Sequence, residues 1–281
     1  MCKSMLRKRS SVVKFVFMFT LVLTILAGSY SYAAEGKTSI ISKRSGLWSD
    51  PAIWDGIPDG TLPSSKIHGR VMIGGGPFVK DGVTVTVDKD IDEIFQLRVY
   101  RDSTLIIPSG TTFKIAEFRP DRPNCVVRQT GGTSIIDNLN IDDKACKYII
   151  AGGTVKVNSF NLGEGTLIID DSSAAIASIS VAKTFHTGAG TTTKFIAHKN
   201  GIASMQCKDV KLDGEKLIVD VTRYNYAAKG DLTLVSYTGT RTGKFDGGLK
   251  KPGPQVTLIG AKADIVYDDA GKKIKLTNFG P

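Results

Sequence analysis

The sequence lacks most of the signatures that identify an enzyme. It has three histidines in 281 residues, and it contains no H-E-x-x-H pair, no G-x-S-x-G elbow, no Walker loop and no G-x-G-x-x-G turn. Zinc hydrolases, α/β-hydrolases, phosphate-loop enzymes and dinucleotide-dependent enzymes therefore do not fit it. We expect a protein without catalytic activity, cofactor or metal site.

Helical apolar stripes and long hydrophobic runs are also scarce. Beyond residue 33, no stretch of a dozen residues places apolar side chains at i, i+3, i+4 and i+7, and no run is long enough to span a bilayer. Basic runs with interleaved aromatics are missing, which argues against nucleic acid as a partner. The composition is 41% hydrophobic and 23% charged with 30 glycines, which favours a turn-rich, all-β protein.

Residues 1–33 have the pattern of a secretory signal peptide. Five basic residues precede the apolar run 15–27, and Ser31 and Ala33 supply small side chains before a cut after Ala33. Cleavage removes five of the 37 basic residues and no acidic residue. The remaining chain has 32 basic and 27 acidic residues, a net charge of +5. We expect a secreted protein, extracellular or at the cell surface. The alternative is an uncleaved anchor, for which the apolar run is short.

Three cysteines remain after cleavage, namely Cys125, Cys146 and Cys207. An oxidising compartment favours pairing two of them, although three buried thiols are the alternative. Cys125 and Cys146 lie one period apart in the repeat described next, so we expect them to form a disulfide between neighbouring coils.

Short β-branched runs recur along the middle of the chain at intervals of about 20–22 residues, the sequence signature of a solenoid. Gly110, Gly132 and Gly153 each open such a run. Stacked coils of this kind form parallel sheets around one apolar interior. We predict a right-handed parallel β-helix over 34–205, with Phe113, Ile135 and Val155 in one interior column. A β-sandwich is the alternative.

From 206 to 281 the strands become longer, and we predict a C-terminal antiparallel segment that packs on or caps the helix. Segments 216–221, 231–237, 255–259, 263–267 and 274–277 are its expected strands, and Asp268 and Asp269 are expected in a hairpin turn.

Two stretches carry a resemblance to known families. The first is G-L-W-S-D-P-A-I-W-D-G over 46–56, followed by G-V-T-V-T-V-D over 82–88. It resembles the N-terminal entry of secreted parallel β-helix proteins and is similar to the extracellular domain named for its eight glycines. The second, 230–277, resembles the C-terminal end of autotransporter-like β-helix passengers. The resemblance implies a surface or matrix protein in which Trp48 and Trp54 cap the first coil; sugar-stacking indoles are the alternative.

Charged residues on the coil exteriors are the candidates for binding an acidic polysaccharide or cell-surface glycan. The predicted basic residues are Arg98, Arg101, Lys114, Arg128 and Lys156, with Arg119 and Arg122 nearby in sequence. The alternative function is a β-helix polysaccharide lyase or glycoside hydrolase, which needs paired carboxylates. Its candidate acids are Asp137, Asp142, Asp143, Asp170 and Asp171.

Two further groups are weaker candidates for ligand binding. Asp88, Asp90, Asp92 and Glu93 place oxygen ligands at nearly alternate positions, as a calcium loop does. Glu93 stands where an EF-hand loop needs glycine, so we interpret the group as a solvated corner and keep calcium as the alternative. His68, His186 and His198 have no zinc spacing, and we interpret them as surface residues.

Overall fold

The described chain is almost entirely β-structure. The computed structural model describes residues 38–57, 61–64, 68–75, 82–170, 177–199, 201–225, 230–245 and 256–280. The predicted signal peptide lies outside these residues. The strands are β1 (Thr38–Ser42), β2 (Gly46–Leu47), β3 (Trp54–Asp55), β4 (His68–Ile73), β5 (Thr84–Thr86), β6 (Ile91–Val99), β7 (Thr104–Ile107), β8 (Thr112–Pro120), β9 (Val126–Ile141), β10 (Lys147–Leu162), β11 (Thr166–Asp170), β12 (Ser178–Thr187), β13 (Thr192–Ile196), β14 (Met205–Asp213), β15 (Lys216–Asp220), β16 (Leu232–Tyr237), β17 (Arg241–Lys244), β18 (Val256–Ile259), β19 (Lys262–Asp268) and β20 (Lys273–Gly280).

Most of these strands stack in parallel as the coils of a β-solenoid, which confirms the predicted fold class. One side, the short-strand sheet, contains β2, β5, β7, the starts of β9 and β10, β11, β13, β15 and β18. The other side, the bent sheet, contains β1, β4, β6, β8, the remainder of β9 and β10, β12, β14, β16 and β17. Each coil therefore passes once through both sheets.

Glycine is required where the chain turns from one sheet into the other. Gly132 and Gly153 have φ of 61° and 80°, a region that side chains with a Cβ rarely adopt. A Cβ on Gly153 would also lie 2.4 Å from the backbone of Gly131 on the preceding coil. Stacked corners leave no room for side chains at these positions, which explains the glycine spacing in the sequence.

The interior consists of columns of residues stacked from coil to coil. One column runs Phe113, Ser134, Val155, Ile179 and Met205, and each of these residues is at most 1% exposed. The prediction was wrong by one residue at its middle position. Ile135 pairs with Lys114 and Lys156 on the outside, whereas Ser134 faces the core.

Two tryptophans close the N-terminal end of the core. Trp48 is 0% exposed and Trp54 is 3% exposed, and their rings meet edge to face at 4.9 Å. Trp54 Nε1 donates to the Trp48 carbonyl at 3.0 Å, and the Trp48 ring packs at 5.4 Å from Phe113. The expected burial of both indoles is confirmed, and it leaves little surface for sugar stacking.

The antiparallel segment is present but begins later than predicted. β14, β15, β17 and β18 continue the parallel stack, so the architecture does not change at residue 206. The antiparallel pairs of this region are β19 with β20 and β16 with β20. The hairpin of β19 and β20 thus pairs through β20 with β16, which belongs to the last coil.

Cys125 and Cys146 occupy equivalent positions on adjacent coils. Their sulfur atoms lie 2.24 Å apart and their Cα atoms 4.7 Å apart, so the structure joins them as a disulfide. Both are fully buried at the entrance to the short-strand sheet. Cys207 is buried and unpaired, and burial raises the pKa of its thiol.

Candidate functional site

The five predicted basic residues do not form one patch, because the coil distributes them over different faces. Lys114 and Lys156 lie in the first half of the bent sheet, and Arg98 lies in its second half. Arg128 points outward from the short-strand sheet, and Arg101 lies in the turn before β7. Only Lys114 and Lys156 therefore share a column.

Lys114 and Lys156 flank Ile135 on three consecutive strands. Lys114 pairs in register with Ile135, and Ile135 pairs with Lys156. Both lysines are exposed, Ile135 is half-buried, and neither lysine forms an ion pair within the described part of the chain. Lys114 and Lys156 are two strand spacings apart along this column, which is about 10 Å. The column continues through Ser180 and Gln206.

Neutral amide and hydroxyl side chains occupy the adjacent columns of the bent sheet. Asn138 pairs with Ser159, and Asn140 pairs with Asn161, on β9 and β10. Asn161 in turn pairs with His186 on β12. Amide and hydroxyl side chains can both donate and accept hydrogen bonds. They lie in the second half of the bent sheet, next to the lysine column of the first half, and we call the outward residues of the two halves together the polar face: Lys114, Ile135, Lys156, Asn138, Ser159, Asn140 and Asn161.

A network of paired charges borders the polar face at its N-terminal side. Arg98 Nη1 lies 3.2 Å from Asp121 Oδ2, and Arg119 lies 3.4 Å from Glu117 and 3.6 Å from Asp142. Side chains of Arg98 and Asp121 are only 16% and 15% exposed. The charge of Arg98 is therefore already balanced, and this residue offers little free charge to a ligand.

Asp142 is the carboxylate of this network that the sequence offered as a candidate acid. Burial raises its pKa, the charge of Arg119 opposes that shift, and the nearby charges of Asp121 and Glu164 add to it. Carboxyl groups with a raised pKa occur in many catalytic sites. Sequence reasoning identified Asp142 but missed Glu117 and Asp121. The alternation Glu117-x-Arg119-x-Asp121 could have shown them, since alternate residues of a strand share a face.

The other predicted acids are bound locally. Asp143 accepts from the backbone of Ala145 in a turn, and Asp170 contacts His198 Nε2 at 2.8 Å. Asp137 is exposed, next to the lysine column, and Asp171 lies outside the described residues.

The proposed calcium carboxylates diverge toward different partners. Asp88 accepts from the backbone and hydroxyl of Ser49, and Asp90 accepts from the Thr112 amide at 2.6 Å. Within the described ranges, no three histidine, cysteine, aspartate or glutamate residues are grouped to hold a metal.

The histidines and the C-terminal aspartates also have local partners. His186 Nε2 lies 2.9 Å from Asp213, and the side chain of His68 lies outside the described residues. Asp268 accepts from the Gly271 amide, as expected of a hairpin turn. Asp269 instead binds Arg241, a contact that the sequence did not indicate.

No protein-family model matches the chain, and neither a curated protein nor a solved structure matches it. In the described residues, no helix is long and apolar enough to cross a membrane.

Proposed function

We propose that this protein is a secreted, non-enzymatic β-solenoid that binds an acidic polysaccharide at the cell surface or in an extracellular matrix. The observation that carries the proposal is the column of Lys114, Ile135 and Lys156. It presents two exposed cations, two strands apart, with no ion-pair partner among the described residues.

The polar face fits a repeating anionic sugar chain better than it fits a compact ligand. Its two cations lie two strands apart along the stacking direction, so they can meet two successive charges of a polyanion with one carboxylate per disaccharide. Ile135 lies between the lysines and offers an apolar surface to the C–H face of a sugar ring. Asn138, Ser159 and Asn161 supply donors and acceptors for hydroxyl groups. A net charge of +5 after cleavage at Ala33 adds long-range attraction.

Export is part of the same proposal. The pattern of residues 1–33 is that of a signal peptide, and a buried Cys125–Cys146 disulfide suits an oxidising compartment. Both features support the extracellular location without depending on the ligand.

Binding is tested with a glycan array and the variant Lys114→Glu/Lys156→Glu. We expect at least about a tenfold loss of affinity for acidic polysaccharides, because two exposed ion pairs are lost and two repulsions are introduced. The matched control is Arg101→Glu/Arg128→Glu, which makes the same charge change away from the polar face. Equal losses in the two variants, or no binding by the native protein, would contradict the proposal.

A lyase or glycoside hydrolase is the second candidate, and the raised pKa of Asp142 beside Arg119 is the observation that favours it. In glycoside hydrolases a carboxylic acid with a raised pKa protonates the leaving oxygen. The test is release of reducing ends from acidic polysaccharides by the native protein and by Asp142→Asn. We expect no release from either. Release that disappears in Asp142→Asn would establish the enzyme instead.

A further inference from the structure

The outer surface of the short-strand sheet carries a restricted selection of side chains. Two outward columns run along it, from Thr84 to Lys216 and from Thr86 to Thr257. Their members are threonine, valine, isoleucine, lysine and arginine alone. The columns contain four cations and no carboxylate or amide, and we call this surface the cationic face.

The cations and isoleucines of the cationic face are interleaved. Val126 pairs with Lys147, and Arg128 pairs with Ile149, so Arg128 and Lys147 lie diagonally on adjacent strands. Arg128 and Lys147 are exposed, and Ile149 and its neighbour Ile168 are half-exposed. Eight stacked strands make a surface about 35 Å long. The cationic face is therefore long enough to contact an extended, flat surface.

The nearest carboxylates, Asp170 and Asp220, occupy the next outward column of the same sheet, in register with Ile196 and Ile259. Asp170 contacts His198, and Asp220 accepts from the Thr222 hydroxyl at 2.7 Å and lies near Lys194. They balance part of the charge at Lys194. Arg128 and Lys147 form no ion pair within the described part of the chain, so this end of the face stays positive.

We propose that the cationic face docks the protein onto an anionic lipid surface. A second copy of the chain is disfavoured, because two such faces would place like charges opposite each other. A polysaccharide is disfavoured relative to the polar face, because threonine is the only neutral hydrogen-bonding residue in these columns and they lack the amides that lie beside Lys114 and Lys156. Interleaved cations and isoleucines match a headgroup layer, where lysine and arginine meet phosphate and apolar side chains enter the acyl boundary. This inference does not depend on the proposed polysaccharide binding.

Sedimentation with vesicles tests the docking. We expect the native protein, without residues 1–33, to bind mixed phosphatidylcholine–phosphatidylglycerol vesicles and not vesicles of phosphatidylcholine alone. Arg128→Gln/Lys147→Gln should lower the partition coefficient about thirtyfold, because each cation near an anionic surface contributes about a fivefold factor. Ile149→Ser/Ile168→Ser should weaken binding but keep its dependence on salt, since that dependence comes from the charges.

Lys114→Gln/Lys156→Gln is the matched control, with the same charge change on the polar face. It should leave vesicle binding unchanged, and circular dichroism should show that all variants are folded. Absence of binding to the mixed vesicles, equal binding to neutral vesicles, or equal losses in the two charge variants would overturn the proposal. So would an acidic polysaccharide whose binding depends on Arg128 and Lys147.

Discussion

At the scale of single residues, the most unusual group is the carboxyl of Glu215. Its side chain is 0% exposed, and neither carboxyl oxygen has a hydrogen-bond partner among the described residues. Burial raises its pKa well above the usual range, its own backbone amide opposes the shift, and the charge of Asp213 adds to it. An ionised carboxylate in this place is costly because it exchanges water for an apolar surrounding.

Glu215 should make the folded protein more stable at acidic pH. A carboxyl group whose pKa is raised in the folded state contributes its full share of stability below its pKa in the unfolded chain, which for glutamate is ordinarily 4.5. That contribution decreases as the pH rises toward the folded pKa. We predict that Glu215→Gln removes this decrease, so that its free energy of unfolding exceeds that of the native protein at pH 8 but not at pH 4.

The measurement is urea unfolding between pH 4 and pH 8, with Glu93→Gln as control because Glu93 is exposed. The control should keep the native slope of stability against pH. Identical slopes for Glu215→Gln and the native protein would show that Glu215 is not the responsible group.

The interior residues also show where sequence reasoning loses accuracy. The alternation of apolar and polar residues could not decide whether Ile135 or Ile136 faces the core, because two adjacent isoleucines fit either register of the strand. The structure buries Ser134 because the buried Gln129 accepts its hydroxyl at 2.7 Å. Gln129 in turn donates to the Thr154 carbonyl, and the Tyr148 hydroxyl approaches it at 3.3 Å. Thr154 and Tyr148 lie on β10, so this network in the core depends partly on contacts between coils, which the sequence of one strand does not reveal.

At the scale of elements, the N-terminal cap closes the end of the apolar stack. An end coil otherwise exposes core side chains and an unpaired strand edge. Trp54 covers this end and hydrogen-bonds to Trp48. We predict that Trp54→Ala lowers the free energy of unfolding by about 3–5 kcal/mol, as other buried large-to-small changes do, and increases aggregation. Thermal unfolding and light scattering measure the two effects.

Leu47→Ala is the control for the cap, because Leu47 lies beside Trp48 but is 49% exposed. It should change stability little. A Trp54→Ala protein with an unchanged melting temperature and weaker glycan binding would instead make the tryptophans a binding platform.

The C-terminal hairpin is held to the last coil by a salt bridge in the Asp269 turn. Arg241 binds both carboxylate oxygens of Asp269 at 2.9 and 2.7 Å, and the Tyr237 hydroxyl donates to the same carboxylate. These hydrogen bonds, with Arg241 first and Tyr237 second, lower the pKa of Asp269 to about 2. The pairing is therefore complete above pH 3.8 and is lost as the pH falls through about 2.

We predict that Asp269→Asn loosens the hairpin without unfolding the coils. Amide hydrogen exchange at neutral pH should become faster in β19 and β20 and stay unchanged in β9 and β10. Asp55→Asn, an exposed change at the opposite end of the stack, should leave the hairpin unaffected. Equal protection of β20 in the native protein and Asp269→Asn would show that the salt bridge does not hold it.

The order and type of these elements were largely predictable, but their pairing was not. Gly110, Gly132 and Gly153 fixed the coil length because the corners require glycine. Segment 216–221 was predicted to be antiparallel, yet β15 pairs in parallel with β13 and β18. The residue composition of a strand does not distinguish parallel from antiparallel pairing when the strand lacks a clear alternation of apolar and polar residues. The face on which a charged residue lies depends on turn lengths, so Arg98, Arg128 and Lys156 could not be separated beforehand.

At the scale of the whole molecule, stability comes from nearest-neighbour contacts between coils. Each coil buries its apolar face only against the next, as the column from Phe113 to Met205 shows. In such a stack the ends open more easily than the centre. The two longest strands, β9 and β10, lie side by side in the middle and are joined at their start by Cys125 and Cys146.

We predict that removing the disulfide lowers the free energy of unfolding but leaves β9 and β10 as the strands with the slowest amide hydrogen exchange. Cys125→Ala/Cys146→Ala should cost about 3 kcal/mol of unfolding free energy, because the bond closes a loop of 21 residues in the unfolded chain. Hydrogen exchange should still be slowest in β9 and β10, since parallel pairing on both edges protects them. Cys207→Ala is the control for thiol removal, and it should leave the loop entropy unchanged. If β9 and β10 became the fastest-exchanging strands in the double variant, the covalent link, rather than stacking, would be what holds the solenoid together.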